Sequence, residues 1–252
     1  MKFLNRNLSK NCISQKRTLH SLFFLLFFLF LNFSLSSCAS AEKWNASWPT
    51  YNEPISTNAS VALIGRGDVF TLMRAKWFSN RLSIPMENIY PFFENLSDSL
   101  IIQTLEKSYP NLKVFPKKFN QNFPEETQKL DDKIFIRGHF PAQGKEVSLP
   151  DSAKPKYLIL IHEITLGTDL NKSAFFDYSK KQEEIDQKKK PEQISVILSF
   201  TLWDNQQQVP LYSAITEEQE FISNNVSLDS IKNLLHKAIA KIPQVFAKGA
   251  SR

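Results

Sequence analysis

Cysteine is almost missing from this chain, with only Cys12 and Cys38 in 252 residues. Glycine is also sparse, at six, and there are four histidines. The apolar run Leu22 to Leu31 is ten residues long, about half of the ~20 that a membrane-spanning helix needs. The Gly-x-Gly of Gly65 and Gly67 has Phe70 where a dinucleotide-binding loop needs its third glycine. His162-Glu163 begins a zinc-protease pattern, but Leu166 stands where the second histidine belongs. His139, His162 and His236 have no ligand spacing, and no Gly-x-Ser-x-Gly elbow, Walker loop or calcium loop is present. No cofactor or metal is therefore expected. His162 reads as a hydrogen-bonded histidine of the core or of a strand end.

What is present begins with a charged start. Lys2, Arg6, Lys10, Lys16 and Arg17 precede the apolar run, and no acidic residue does. A basic start, a short apolar segment and small residues make a secretory signal over residues 1–37. Leu35-Ser36-Ser37-Cys38 resembles the lipobox of bacterial lipoproteins. The resemblance implies cleavage before Cys38, a thioether-linked diacylglycerol on its sulfur and an N-acyl chain. Ala39 and Ser40 follow, without the aspartate of inner-membrane retention, so the expected location is the outer membrane. Two other readings are open at this point. One is a conventional signal cut at Cys38-Ala39-Ser40-Ala41; the other is a secreted eukaryotic protein glycosylated at sites such as Asn95-Leu96-Ser97.

Five of the 31 basic residues lie before Cys38 and none of the 25 acidic ones does, so the mature chain is nearly neutral at 26 against 25. The composition offers nothing to nucleic acid. Cys12 leaves with the signal and Cys38 would carry lipid, so no disulfide forms and stability rests on an apolar core.

Residues 38–60 read as a lipidated cysteine and tether, with Trp44 and Trp48 either at the lipid interface or folded back, and residues 61–252 read as one domain. Val61–Ile64 fits a buried strand, and Arg66-Gly67-Asp68 a turn. Asp68 is expected to cap a helix through Leu82, with Phe70, Met73 and Trp77 on one face. Residues 89–93 read as extended, a helix as starting at Ser97 or Asp98, and Leu112–Phe115 as a strand. Residues 116–132 read as irregular, Ile134–Ile136 as a strand and 141–155 as a loop. Tyr157–Ile161 reads as a strand covered on both faces and continuing with Leu158, Leu160, His162, Ile164 and Leu166 on one side. Ile194, Val196, Leu198, Phe200 and Leu202 share the buried face of the next strand, opposite Ser195, Ser199 and Thr201. A turn at residues 203–206 leads to Val209–Ser213, an edge strand because of Pro210. Ser227 opens a helix with Ile231, Leu234, Leu235, Ala238, Ile239 and Ile242 as its buried stripe. Lys232, Lys237 and Lys241 take the water side, and Pro243 bends or ends it.

These elements give an α/β (α+β) class: a single mixed sheet of five or six strands flanked by helices. The order from Tyr157 to Ser213 and on into the last helix is similar to envelope lipoproteins related to the curli-secretion lipoprotein, the lipoprotein activator of penicillin-binding proteins and the amino-terminal domain of TolB. Asn205-Gln206-Gln207-Gln208 replaces the glycine usual in their turn. The resemblance implies binding or assembly and no catalysis. The function expected is a lipid-anchored envelope accessory, partnered by the membrane through Cys38 and by an envelope protein or the cell wall. The alternatives are an envelope hydrolase with an unrecognised site or a subunit of an outer-membrane export assembly. The binding residues expected are Phe175, Phe176, Tyr178, Lys188, Lys189 and Lys190, on the long excursion from Asp169 to Gln193.

Overall fold

The computed structural model describes residues 42–47 (backbone only), 53–65, 69–131, 134–148, 154–168, 193–222 and 226–248. All belong to one compact unit, Ala41–Arg252. Nine strands and three α-helices are described, in the order β1 (Glu42–Ser47), β2 (Val61–Ile64), β3 (Phe70–Leu72), α1 (Ala75–Leu82), α2 (Met86–Ser108), β4 (Lys113–Val114), β5 (Glu125–Asp131), β6 (Ile134–His139), β7 (Tyr157–Thr168), β8 (Gln193–Asp204), β9 (Val209–Phe221) and α3 (Leu228–Lys248). Seven strands form one mixed sheet of order β1-β9-β8-β7-β2-β4, in which β3 also pairs with β7; β5 and β6 form a separate hairpin. Since β2 and β3 lie end to end along β7, the sheet is six strands wide. This is the α+β class expected.

The sheet is buried on both faces. One carries Ile194, Val196, Leu198, Phe200 and Leu202 against Phe93, Ile101 and Leu105 of α2 and the stripe of α3, as the alternation of β8 requires. The other carries Leu158, Leu160, Ile197 and Trp203 beneath Phe115, Ile136 and Phe140. The hairpin β5–β6 lies on that side, close to β1 and β7. Among the described residues no helix is long and apolar enough to cross a membrane.

Several expectations are corrected. Residues 69–74 do not begin a helix. Phe70–Leu72 pairs in parallel with Ile164–Leu166, and α1 starts only after Arg74, which has φ 59°. Residues 89–93 are helical within α2 despite Pro91. Ile89, Phe93, Ser97, Ile101 and Leu105 recur every fourth residue and are all buried, and this stripe outweighs the roughly 3 kcal/mol cost of an interior proline. Residues 116–131 are more regular than expected, with a 3₁₀ turn at Phe119–Asn122 and then β5. Strand β7 does not keep one alternation through His162. A bulge lies between Ile161 and Glu163, so Leu158 and Leu160 face the hairpin while Ile164 and Leu166 face the helices.

Strand β9 is not an edge, because β1 pairs along its other side from Tyr212 to Thr216. Pro210 lies beyond that pairing, opposite Trp203 at a register shift, where its missing N–H interrupts nothing. The tether reading fails over the same segment. Residues 42–47 are a strand, with Trp44 paired to Ile215, and the N–H of buried Ile55 donates to the Phe246 carbonyl at 3.1 Å. Trp48 and the segment 169–192 lie outside the described residues. On α3, Lys241 is buried and not on the water side. It pairs with Glu218 at 2.6 Å and donates to the Glu217 carbonyl at 3.2 Å, pinning the helix to β9. The helix runs past Pro243, and Val245 and Phe246 extend its buried stripe.

The turn after β8 closes without glycine. Gln208 takes φ 61°, and Asp204 Oδ1 accepts from the N–H groups of Gln206 and Gln207 at 2.9 and 2.8 Å. Fully buried Asn205 binds both backbone groups of Val147, at 2.7 and 2.8 Å, and the Pro155 carbonyl, at 2.8 Å.

The N-terminus of α3 is capped by Ser227 Oγ, which accepts from the Ser230 N–H at 3.2 Å. Leu235 is fully buried on its stripe. Replacing it with alanine is expected to destabilise the fold by about 2–5 kcal/mol, read from urea unfolding. A loss under about 1 kcal/mol would mean that the stripe is not core.

Candidate functional site

The bulge in β7 is where the sheet stops being purely apolar. His162 sits at the register shift and turns its ring toward the hairpin side, where Phe140 packs on it with centroids 4.5 Å apart. The ring fits because residue 138 on β6 is glycine; a Cβ there would lie 2.2 Å from His162 Nδ1. On the sheet side, His162 Nε2 meets Thr201 Oγ1 at 2.9 Å, Thr201 Oγ1 meets Ser213 Oγ at 2.6 Å, and Ser213 Oγ donates to Gln128 Oε1 at 3.3 Å. Reading the donors back from Gln128, Ser213 accepts from Thr201 and Thr201 accepts from the Nε2–H of His162. That leaves Nδ1 as a lone pair on the Gly138 side. Burial, with the charge of His139 second, pushes the His162 pKa down to about 3, so the imidazole is neutral near pH 7.

The same side opens into a cleft of about 170 Å³ lined by Asn120, Glu125, Arg137, Gly138, His139 and His162, among others. Strands β5 and β6 supply Glu125 opposite His139, and the 3₁₀ turn supplies Asn120. Arg137 Nε pairs with Glu125 Oε1 at 2.8 Å, and this guanidinium holds the exposed Glu125 carboxyl below its usual range. His139 Nδ1 donates to the Phe123 carbonyl at 2.9 Å. Asn120 is buried, and its Oδ1 has no hydrogen-bond partner among the described residues. The cleft thus presents a carbonyl acceptor, two imidazoles and an ion pair, a set suited to holding a small polar group. Among the described residues no group of three or more His, Cys, Asp or Glu is placed to hold a metal.

Folding brings together two histidines that are 23 positions apart in sequence, while His236 lies with Glu220 and Lys237 on a separate surface hollow. The sequence reading missed Asn120, Glu125, Arg137 and Gly138 as neighbours of His162. The available signal was the polar residue interrupting an apolar face, together with a glycine directly before His139. The expected site residues Cys38, Phe175, Phe176, Tyr178, Lys188, Lys189 and Lys190 all lie outside the described residues. Their excursion leaves the sheet at Thr168 and returns at Gln193, at the end farthest from the Asn205–Gln208 turn.

No protein-family model matches this chain, and no curated protein matches it. Solved structures to which it is similar include a PelC dodecamer from Paraburkholderia phytofirmans, at 12% identity and TM-score 0.34, covering 79% of this chain and 97% of that one. A point variant of that PelC dodecamer matches at 9% identity and TM-score 0.30, covering 78% of this chain and 94% of that one. A likeness at this level supports no inference about this chain.

Two outcomes are expected at the cleft. His162 has a folded pKa far below its unfolded value of 6.5, so below pH 6.5 the unfolded state binds a proton that the native state does not. Its contribution is therefore fully present above pH 6.5 and is lost as pH falls toward about 3. The slope is about 1.4 kcal/mol per pH unit. Urea unfolding across that window should show the slope, and His162→Gln should remove it. An unchanged slope in His162→Gln would place the acid sensitivity elsewhere. Gly138→Ala drives a methyl into the imidazole and should cost about 1–3 kcal/mol in the same assay.

Proposed function

We propose that this chain is a lipid-anchored protein of the bacterial envelope, attached to the outer membrane through Cys38 and facing the periplasm, where it acts as a binding or assembly accessory without catalysis. The observation that carries the reading is the position of β1. The sheet begins at Glu42, four residues after Cys38, so the domain starts where the anchor ends. Those residues span about 14 Å at full extension. A protein with so short a leash works at the membrane surface, on partners in or beside that membrane.

The cleft favours binding over turnover. A general acid or base needs a pKa near the working pH, and His162 is held neutral and committed to Thr201, while Glu125 is engaged by Arg137. The resemblance to assembly lipoproteins agrees with this role. The partner is an envelope protein or the cell wall, reached by the cleft side or by the excursion that carries Phe175, Phe176, Tyr178 and Lys188 to Lys190.

Mass spectrometry of the mature N-terminus tests the anchor. A diacylglyceryl, N-acylated Cys38 is expected in the native chain, and Cys38→Ser should leave an uncut, unlipidated precursor. A mature terminus of unmodified Ala-Ser-Ala would overturn the anchor. Crosslinking in intact cells followed by purification tests the accessory role, since an envelope protein or cell-wall fragment should be recovered with the native chain and be lost with Cys38→Ser.

A further inference from the structure

The two ends of the ribbon β7–β8–β9 differ in character. One end closes in the turn fixed by Asp204 and Asn205. At the other, Thr168 pairs with Ile194 and Gln193 pairs with Phe221. Phe221 is 81% exposed, more than any other large apolar side chain described. Beside it lies a small notch lined by Ile194, Val226, Ile231 and Leu234 together with Glu220 and Ser230. A single exposed ring needs no cover by itself; this one gains its meaning from where the anchored end of the chain enters the sheet.

The register of β1 says what is near. Glu42 pairs with Thr216 and Ser47 with Tyr212, so the chain enters β1 from the Phe221 end. Phe221 lies about 17 Å beyond Thr216 along β9, at roughly 3.4 Å per residue. Cys38 is held within about 14 Å of Glu42 by its covalent reach. The start of β9 at Val209 lies about 24 Å from Thr216 in the opposite direction, with the turn beyond it. A reach of that length is enough to bring Cys38 close to Phe221 but leaves it about 10 Å short of Val209 and the turn.

We propose that Phe221 is a second membrane contact, its ring seated in the bilayer interface beside the lipid on Cys38, so that the Thr168–Gln193–Phe221 end of the sheet faces the membrane. The proposal rests on the anchor assigned to Cys38. Glu220 does not oppose it: successive strand residues point to opposite faces, so its exposed carboxylate stays in the headgroup water while Phe221 inserts. Glu218 does not oppose it either, being paired with Lys241 beneath α3. An aromatic ring suits the interface, and a second contact fixes an orientation that a lipid alone leaves free.

The test uses the mature full-length lipoprotein in vesicles of phosphatidylethanolamine and phosphatidylglycerol. Phe221→Cys and Gln207→Cys, both at exposed positions, are labelled with an environment-sensitive thiol dye. The unsubstituted protein is the control for the anchor. Cys12 has left with the signal and Cys38 is a thioether, so it should take no dye; labelling there would overturn the anchor reading itself. With that control clean, the dye at position 221 should shift to the blue, gain intensity several-fold and be quenched by spin-labelled lipid, while the dye at 207 keeps its emission in water. Equal emission at both positions, whether watery or membrane-like, would overturn the proposal. So would a dye at 221 shielded only in intact cells, which would point to a protein cover.

Discussion

Between Ile161 and Glu163 the longest face of the sheet changes sides, and much of the architecture follows from that one register shift. Before it, Leu158 and Leu160 point toward the hairpin; after it, Ile164 and Leu166 point toward the helices. Strand β8 runs past the shift unbroken, whereas along the opposite side of β7 the neighbouring strand is interrupted there, into β2 and β3. Gly65 ends β2 at the break, at φ +83°, where a Cβ would stand 2.4 Å from the Ile161 carbonyl oxygen. Its lack of a side chain is required twice, by the left-handed backbone and by the close approach. The shift also projects His162 out of the apolar layer, and Gly138 makes room for it. Bulges commonly re-aim a side chain in this way.

The polar chain from His162 through Thr201 and Ser213 to Gln128 links three strands of the sheet to the hairpin. Its members are separated by up to 85 residues, so it is a product of tertiary structure. Thr201 and Ser213 are buried and would be costly without partners. Each is satisfied by the next, and the imidazole ends the series. Protonation would add an N–H at Nδ1, on the Gly138 side and away from this series, and burial disfavours the resulting charge, so the neutral imidazole is the form that fits.

What could be read from the sequence was what is periodic. The alternation of β8 from Ile194 to Leu202 and the stripe of α3 from Ile231 to Ile242 correspond to buried faces in the structure, and the fold class followed from their order. The errors cluster where a local rule met a larger constraint. Residues 89–93 were read as extended and the helix as starting at Ser97 or Asp98, although the four-residue spacing from Ile89 to Leu105 was there to be counted. Pro210 was read as the mark of an edge, and the rule held locally, since β1 stops short of it. The break at His162 could not be seen, because a bulge and an unbroken alternation share the same residues until a partner strand sets the register. Lys241 was assigned to water by composition alone; only its position opposite Glu218 on β9 makes it a buried pair. The cleft was illegible for the same reason, as its walls come from segments that share no motif.

The largest correction concerns the segment just after Cys38. Residues rich in Ala, Ser and Asn read as slack chain, but a strand at the rim of a sheet needs only backbone groups to pair, and β9 offers a free row of them. The same six residues cannot be slack and paired at once. Peeling β1 away would lengthen the leash by about 20 Å. It would also give up backbone hydrogen bonds worth about 0.5–1.5 kcal/mol each and expose the edge of the longest strand among the described residues. The exposed edge is the heavier consideration, since β9 would then offer a bare ladder to any passing strand. Keeping β1 in the sheet therefore shortens the leash and closes the edge with one set of contacts.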